Sequence, residues 1–78
     1  MPMRTVLVNI NSIEKVKSFV NTVSTYDAEF DLISGRFFID AKSIMGIFSL
    51  DLSKPLTLNI YNDDDNTILE QLKPFIVE

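Results

Sequence analysis

Apolar and polar positions alternate from Arg4 to Ile10, with Val6, Val8 and Ile10 on one side. A period of two is that of a half-buried strand. Asn11 and Ser12 interrupt it, and both residue types cap helices because their side-chain oxygens accept from free first-turn amides. Glu14, three residues after Asn11, makes a weak capping-box match. Ile13, Val16, Phe19, Val20 and Val23 follow at helical spacing, predicting a helix from about Ile13 to Thr25. Ala28, Phe30 and Leu32 alternate with Glu29, Asp31 and Ile33 in a second strand. Ser34-Gly35 is a turn signal, since glycine tolerates positive φ. Arg36 to Asp40 then forms a third strand and closes a hairpin.

The stretch Ser43 to Leu50 is apolar nearly all round, with Ile44, Met45, Ile47 and Phe48 around Gly46, and reads as a short helix. Pro55 precedes Leu56 to Ile60, a clean alternating strand. Asp63 to Asn66 break that strand and supply negative charge and caps for a last helix, which suits the positive end of a helix dipole. Ile68, Leu69, Leu72, Phe75 and Ile76 mark that helix, with Pro74 fraying or ending it. The order is βαββαβα. Four strands with three helices on one face make a two-layer α+β sandwich. No repeat, linker or low-complexity segment divides residues 1–78, so one small domain is expected.

Composition narrows the chemistry. Hydrophobic residues make up 46% and charged residues 23% of the 78 residues, an ordinary globular balance. Seven Lys and Arg against eleven Asp and Glu give a net charge of −4. That argues against nucleic acid or an acidic membrane as partner, since both need a basic face. With no cysteine and no histidine, disulfides, thiolate chemistry, Cys/His metal sites and a phosphohistidine relay are excluded. No apolar run is long enough to span a bilayer. The first ten residues lack the apolar segment and cleavage site of a signal peptide, so a cytoplasmic location is expected. No nucleophile–base pair, metal cluster or glycine-rich phosphate loop marks an enzyme, and no cofactor is expected.

Tyr26-Asp27-Ala28-Glu29-Phe30-Asp31-Leu32 and Ala41-Lys42-Ser43-Ile44-Met45-Gly46-Ile47-Phe48-Ser49-Leu50 resemble HPr, the small phosphocarrier of the bacterial sugar phosphotransferase system. The Lys42 to Gly46 segment is the specific part, and the resemblance runs from about Val6 to Ile76. It implies an open-faced β-sandwich with antiparallel strand order 1-4-2-3. In that family a histidine at the start of the first helix takes phosphate from Enzyme I and passes it to EIIA domains. An arginine two residues later helps hold the phosphate. Counting back from Tyr26 puts Ser12 at the histidine position and Glu14 at the arginine position, with Lys15 in place of a proline. The loop at Asp63 to Asn66 looks about two residues shorter than is usual in the family.

At Ser12 the plain role of N-cap is favoured, because no base stands by to activate the hydroxyl and Glu14 would repel a phosphate. Ser43 matches the serine that an ATP-dependent HPr kinase phosphorylates in the family, where the modified form acts through a transcription regulator. It is equally placed to cap the second helix. Ordinary core is the plain role for this apolar helix, with Ile47 and Leu50 expected buried, but the resemblance puts Ile44, Met45 and Phe48 on a surface that docks partner proteins. Lys15 and Lys17 can pair with Glu14 or meet an acidic partner. The partners implied are proteins: phosphotransferase-system components, HPr kinase or a transcription regulator.

Two further features receive structural readings. Asp63, Asp64 and Asp65 are adjacent, which does not aim three carboxylates at one ion, and the spaced calcium loop is absent. A solvated cap is expected there. Phe37 and Phe38 point to opposite sides of their strand, so one is expected in the core and the other on the open face or in an oligomer contact.

Overall fold

A computed structural model describes residues 3–61 and 67–77. These residues form, in order, β1 (Met3–Val8), α1 (Ile13–Ser24), β2 (Phe30–Ser34), β3 (Phe37–Asp40), α2 (Ile44–Ile47), β4 (Leu56–Tyr61) and α3 (Thr67–Leu72). A 3₁₀ turn, Lys73–Phe75, follows. The strands make one antiparallel sheet in the order β1-β4-β2-β3. The expected α+β architecture and strand order are therefore present. The aspartates at 63–65, the cap expected of them and the loop length judged there lie outside the described residues.

The core fills one side of the sheet. Val8, Leu56, Leu58, Ile60, Phe30 and Leu32 alternate inward from the strands. Val16, Phe19 and Val23 come down from α1, Ile47 from α2, and Ile68 and Leu72 from α3. The Phe19 and Phe75 rings meet edge to face at 5.6 Å, joining α1 to the C-terminal turn. On the other side of the sheet Thr5 donates to Asn59 Oδ1 at 2.8 Å across adjacent strands.

Several boundaries differ from the sequence reading. β1 ends at Val8 rather than Ile10, although Ile10 is still buried. Ile13 lies off the buried stripe of α1. At about 100° per residue it stands nearly a quarter turn from the direction of Val16, Phe19 and Val23, and it is 62% exposed. Helix α1 starts from Ser12, so Asn11 and Glu14 form no capping box around it. Helix α2 is a single turn. Ile76 is not helical: Pro74 sits in the 3₁₀ turn, and the chain leaves it extended, bridging Val8.

The two edges of the sheet are treated differently. The outer edge of β1 is covered by the C-terminal segment: Asn9 N–H donates to the Phe75 carbonyl at 2.8 Å and Val77 N–H to that of Leu7 at 3.0 Å. Among the described residues no further strand pairs with the outer edge of β3, although the Asp40 carbonyl at its end accepts from Ser43 N–H at 2.9 Å. Both Phe37 and Phe38 on that strand are surface residues, 62% and 65% exposed. They do point to opposite faces, but neither is core. Phe37 faces the helical side at the hairpin end, where one-turn α2 gives no cover. A shallow depression separates it there from Leu50 and Asp51.

Candidate functional site

Two serine-capped helix starts carry the candidate residues. Ser12 has extended backbone, and its Oγ accepts from Lys15 N–H at 3.1 Å. That satisfies one of the free first-turn amides. Glu14 stands in the same turn, where its charge suits the helix dipole. Ser12, Glu14 and Lys15 do come together: with Ser18, Pro74 and Phe75 they line one shallow depression between α1 and the C-terminal turn. Lys17 does not line it. Neither Lys15 nor Lys17 has an ion-pair partner among the described residues, so the pairing with Glu14 is not formed.

This depression offers little for group transfer. The chain has no histidine. Among the described residues no carboxylate accepts a hydrogen bond from the Ser12 hydroxyl, whose oxygen accepts from Lys15 N–H. One carboxylate and one ammonium line the space, without the clustered donors that hold a phosphate.

The second start is assembled more tightly. Ser43 is exposed, and its Oγ accepts a long bond of 3.4 Å from Gly46 N–H. Asp40 precedes it as a turn organiser, its Oδ1 accepting from Lys42 N–H at 2.9 Å and its carbonyl from Ser43 N–H at 2.9 Å. The Lys42 ammonium donates to the Tyr26 carbonyl at 2.7 Å and lies 5.8 Å from the Phe30 ring centroid. Gly46 permits the close approach of α2 to β3: a Cβ there would stand 2.9 Å from Ile39 Cγ2 and 3.1 Å from Ser43 Oγ. Ser49 closes the turn by donating to the Gly46 carbonyl at 2.6 Å.

Within this segment Ile47 is buried and Leu50 only partly so, against the core edge. Ile44 is half-buried against the core, so only part of its side chain faces outward. Met45 is 78% exposed and Phe48 41%. The fold thus uses Lys42, Ser43, Ile44 and Gly46 structurally and makes no demand on the Met45 side chain. Helices α1 and α2 pack on one another. Their exposed large apolar side chains are Ile13, Met45 and Phe48. Ile13 was missed as a surface residue because it was counted into the apolar stripe. Its angular offset was the available signal.

No three described histidine, cysteine or acidic residues gather as a metal site. No helix among the described residues is long and apolar enough to cross a membrane.

An open-faced α+β sandwich with serine-capped helices over a 1-4-2-3 sheet defines a small phosphocarrier-type fold. The family model described as the PTS HPr component phosphorylation site matches residues 14–78. The chain belongs to the HPr family of the sugar phosphotransferase system, whose members are phosphocarriers rather than enzymes. The match begins at Glu14, beyond Ser12. Among solved structures, the chain is similar to HPr-C-His from Thermoanaerobacter tengcongensis, with 25% identity and a TM-score of 0.73. That alignment covers 95% of this chain and 89% of the other. It is also similar to the phosphocarrier protein HPr from Bacillus anthracis str. Ames, at 22% identity and a TM-score of 0.72, over 97% and 96% of the two chains. No curated protein sequence matches the chain.

Proposed function

We propose that this HPr-family chain is a cytoplasmic protein-binding and regulatory module that does not relay phosphate. The observation that carries this reading is the chemistry at the start of α1. The residue at the relay position is a serine whose oxygen caps the helix, with no base beside it and a carboxylate two residues on. A phosphate on serine would be a stable ester, unable to move on as a phosphoramidate does. The apolar side chains of Ile13, Met45 and Phe48 supply contact area for a partner protein, with part of Ile44 beside them. Methionine and aromatic residues are enriched at such interfaces. Lys15 and Lys17 add positive charge at the margin, suited to an acidic partner of the phosphotransferase system.

A second reading rests on Ser43. Its hydroxyl is exposed and held only by the long cap bond, leaving it accessible to a kinase. Phosphorylation by an HPr kinase would put about two negative charges beside Met45 and so change which partner docks there. The module would then act in catabolite control through a transcription regulator.

Intact mass after incubation with Enzyme I and phosphoenolpyruvate tests the main reading. The expected result is no gain. A phosphoenolpyruvate-dependent gain of about 80 Da, one phosphate, that vanishes in Ser12→Ala would overturn it.

A further inference from the structure

Among the described residues no segment covers the outer edge of strand β3, a short strand of four residues. Native sheets usually blunt an exposed edge with a lysine, a proline, a bulge or a covering segment. The β1 edge has its cover in residues 75–77. The β3 edge instead presents two exposed phenylalanines and Ile39 between Arg36 and Asp40.

The backbone of β3 is poised to accept another strand. Its register on β2 pairs Leu32 with Ile39, Ile33 with Phe38 and Ser34 with Phe37. The same register continues to Phe30 opposite Ala41, where Ala41 N–H donates to the Phe30 carbonyl at 2.9 Å. Hydrogen-bonded and non-bonded pairs alternate along an antiparallel ladder. Leu32–Ile39 is then a bonded pair and Ile33–Phe38 a non-bonded one. The amide and carbonyl of Phe38 therefore point away from β2, to the free edge, as does the amide of Asp40, while the Asp40 carbonyl on that edge already accepts from Ser43 N–H at 2.9 Å.

The segment is also complementary to itself. Arg36-Phe37-Phe38-Ile39-Asp40 reads as positive, three apolar, negative. Antiparallel pairing centred on Phe38 sets Phe38 against Phe38, Phe37 against Ile39, and Arg36 of each copy beside Asp40 of the other. This arrangement relieves a local conflict. Asp40 lies directly opposite Asp31 within the sheet, and like charges so placed are destabilising. The guanidinium of a second copy would stand on the other flank of Asp40. Arg36 has no ion-pair partner among the described residues.

We propose that the β3 edge is a homodimer interface, with two sheets joined into one of eight strands by antiparallel pairing about Phe38. The two-fold axis is normal to the sheet, so both helical layers lie on the same side. The interface is isologous, each Arg36 meeting the other copy's Asp40. Phe38 extends an apolar row that already runs from Leu7 through Thr57 and Ile33 across the open face. A pairing over the four residues of β3 and the turn residue Arg36 is smaller than a standard interface, so the dimer is weak, with a Kd of about 0.1 mM.

Sedimentation of the full chain across concentrations, together with charge-reversal variants, tests the proposal. The wild type is expected to pass from monomer to dimer mass around 0.1 mM, roughly the Kd above. Arg36→Asp places carboxylates opposite carboxylates, and Asp40→Arg places guanidinium groups opposite one another. Each variant alone is expected to dimerise at least about tenfold more weakly. Mixed in equal amounts, they regain opposite charges at both positions, and association returns to near the wild-type level. Both residues are exposed, and circular dichroism is the check that each variant is folded, above all Asp40→Arg, which removes the bond from Lys42 N–H. Phe38→Glu, also at an exposed position, is expected to abolish the dimer, whereas Met45→Glu on the helical face leaves it unchanged. A wild type that stays monomeric to about 1 mM, ten times the expected Kd, overturns the proposal. So does a dimer whose two charge variants fail to rescue one another, because that excludes the Phe38-centred register.

Discussion

Ser12 and Ser43 perform the same mechanical task at the starts of α1 and α2, but their surroundings differ. Around Ser12 the residues that matter sit loosely. Glu14, Lys15 and Lys17 are exposed, the depression beside them is shallow, and the one bond of note is the cap itself. Around Ser43 nearly every residue is held: Lys42 by the Tyr26 carbonyl, the turn by Asp40, and the close approach to β3 by Gly46. Much of the segment that carries the HPr resemblance is therefore explained by packing. Tight packing alone does not account for Met45, which the fold leaves in solvent. The comparison separates two questions, what the fold requires and what a partner would require, and the fold makes no demand on the Met45 side chain and only a long cap bond on the Ser43 hydroxyl.

The largest effect expected is all-or-none. With HPr kinase and ATP, the second reading predicts one added phosphate on the wild type and on Ser12→Ala, and none on Ser43→Ala, by intact mass. Both serines are exposed, so the expected difference rests on segment shape: only Ser43 lies in the turn that Asp40, Lys42 and Gly46 hold. Phosphate that persists in Ser43→Ala would break the distinction between the two starts. No phosphate at all, beside a conventional HPr that reacts, would leave both serines as caps.

Much of the fold was legible because periodicity reports it directly. Alternation in Leu56 to Ile60 and the 3.6-residue spacing of Val16, Phe19 and Val23 each identified an element and its buried face. The strand order came with the HPr resemblance rather than from the pattern of any one strand. Chemistry revealed the caps, since serine before an apolar run has a defined use. Coverage was not legible. Alternation states which side of a strand a residue faces, not whether anything lies over it. Phe37 faces the helical layer yet remains exposed because α2 ends after one turn. Ile76 escaped for a related reason. Its apolar side chain fits a helical stripe, but the backbone leaves the 3₁₀ turn extended to cover β1. Met45 was expected on the surface through the resemblance, whereas Ile13 was counted into the apolar stripe.

A middle-sized effect addresses the exposed side chains. Met45→Glu is expected to change stability by no more than about 0.5 kcal/mol, as for most surface substitutions. Binding to a phosphotransferase-system partner such as an EIIA domain should fall at least about thirtyfold, in line with loss of roughly 2 kcal/mol at an interface anchor. Phe48→Glu should act in the same direction with some added loss of stability, because more of Phe48 is buried. Lys17→Glu, at the margin, should weaken binding only a few fold, roughly the effect of a rim charge, and mainly through the association rate. Calorimetry on the three variants ranks them. Equal losses for Lys17→Glu and Met45→Glu would move the docking surface from α2 to α1.

The smallest effect compares the caps themselves. Ser12→Ala removes a 3.1 Å bond from a helix of twelve residues that brings Val16, Phe19 and Val23 into the core. A cost of about 1 kcal/mol is expected, which is about 4–8 °C in Tm for a domain of this size. Ser43→Ala removes a 3.4 Å bond from a single turn whose position is also fixed by Asp40, Lys42 and Ile47. With the turn held by those other contacts, its loss should cost less than about half as much. Urea unfolding with unchanged m-values reads both numbers directly. Should Ser43→Ala prove as costly as Ser12→Ala, the cap would account for a serine at position 43, and the regulatory reading would rest on the kinase experiment alone. A near-silent Ser43→Ala sharpens the contrast, because the fold would then have little need of the hydroxyl that the α2 turn presents to solvent.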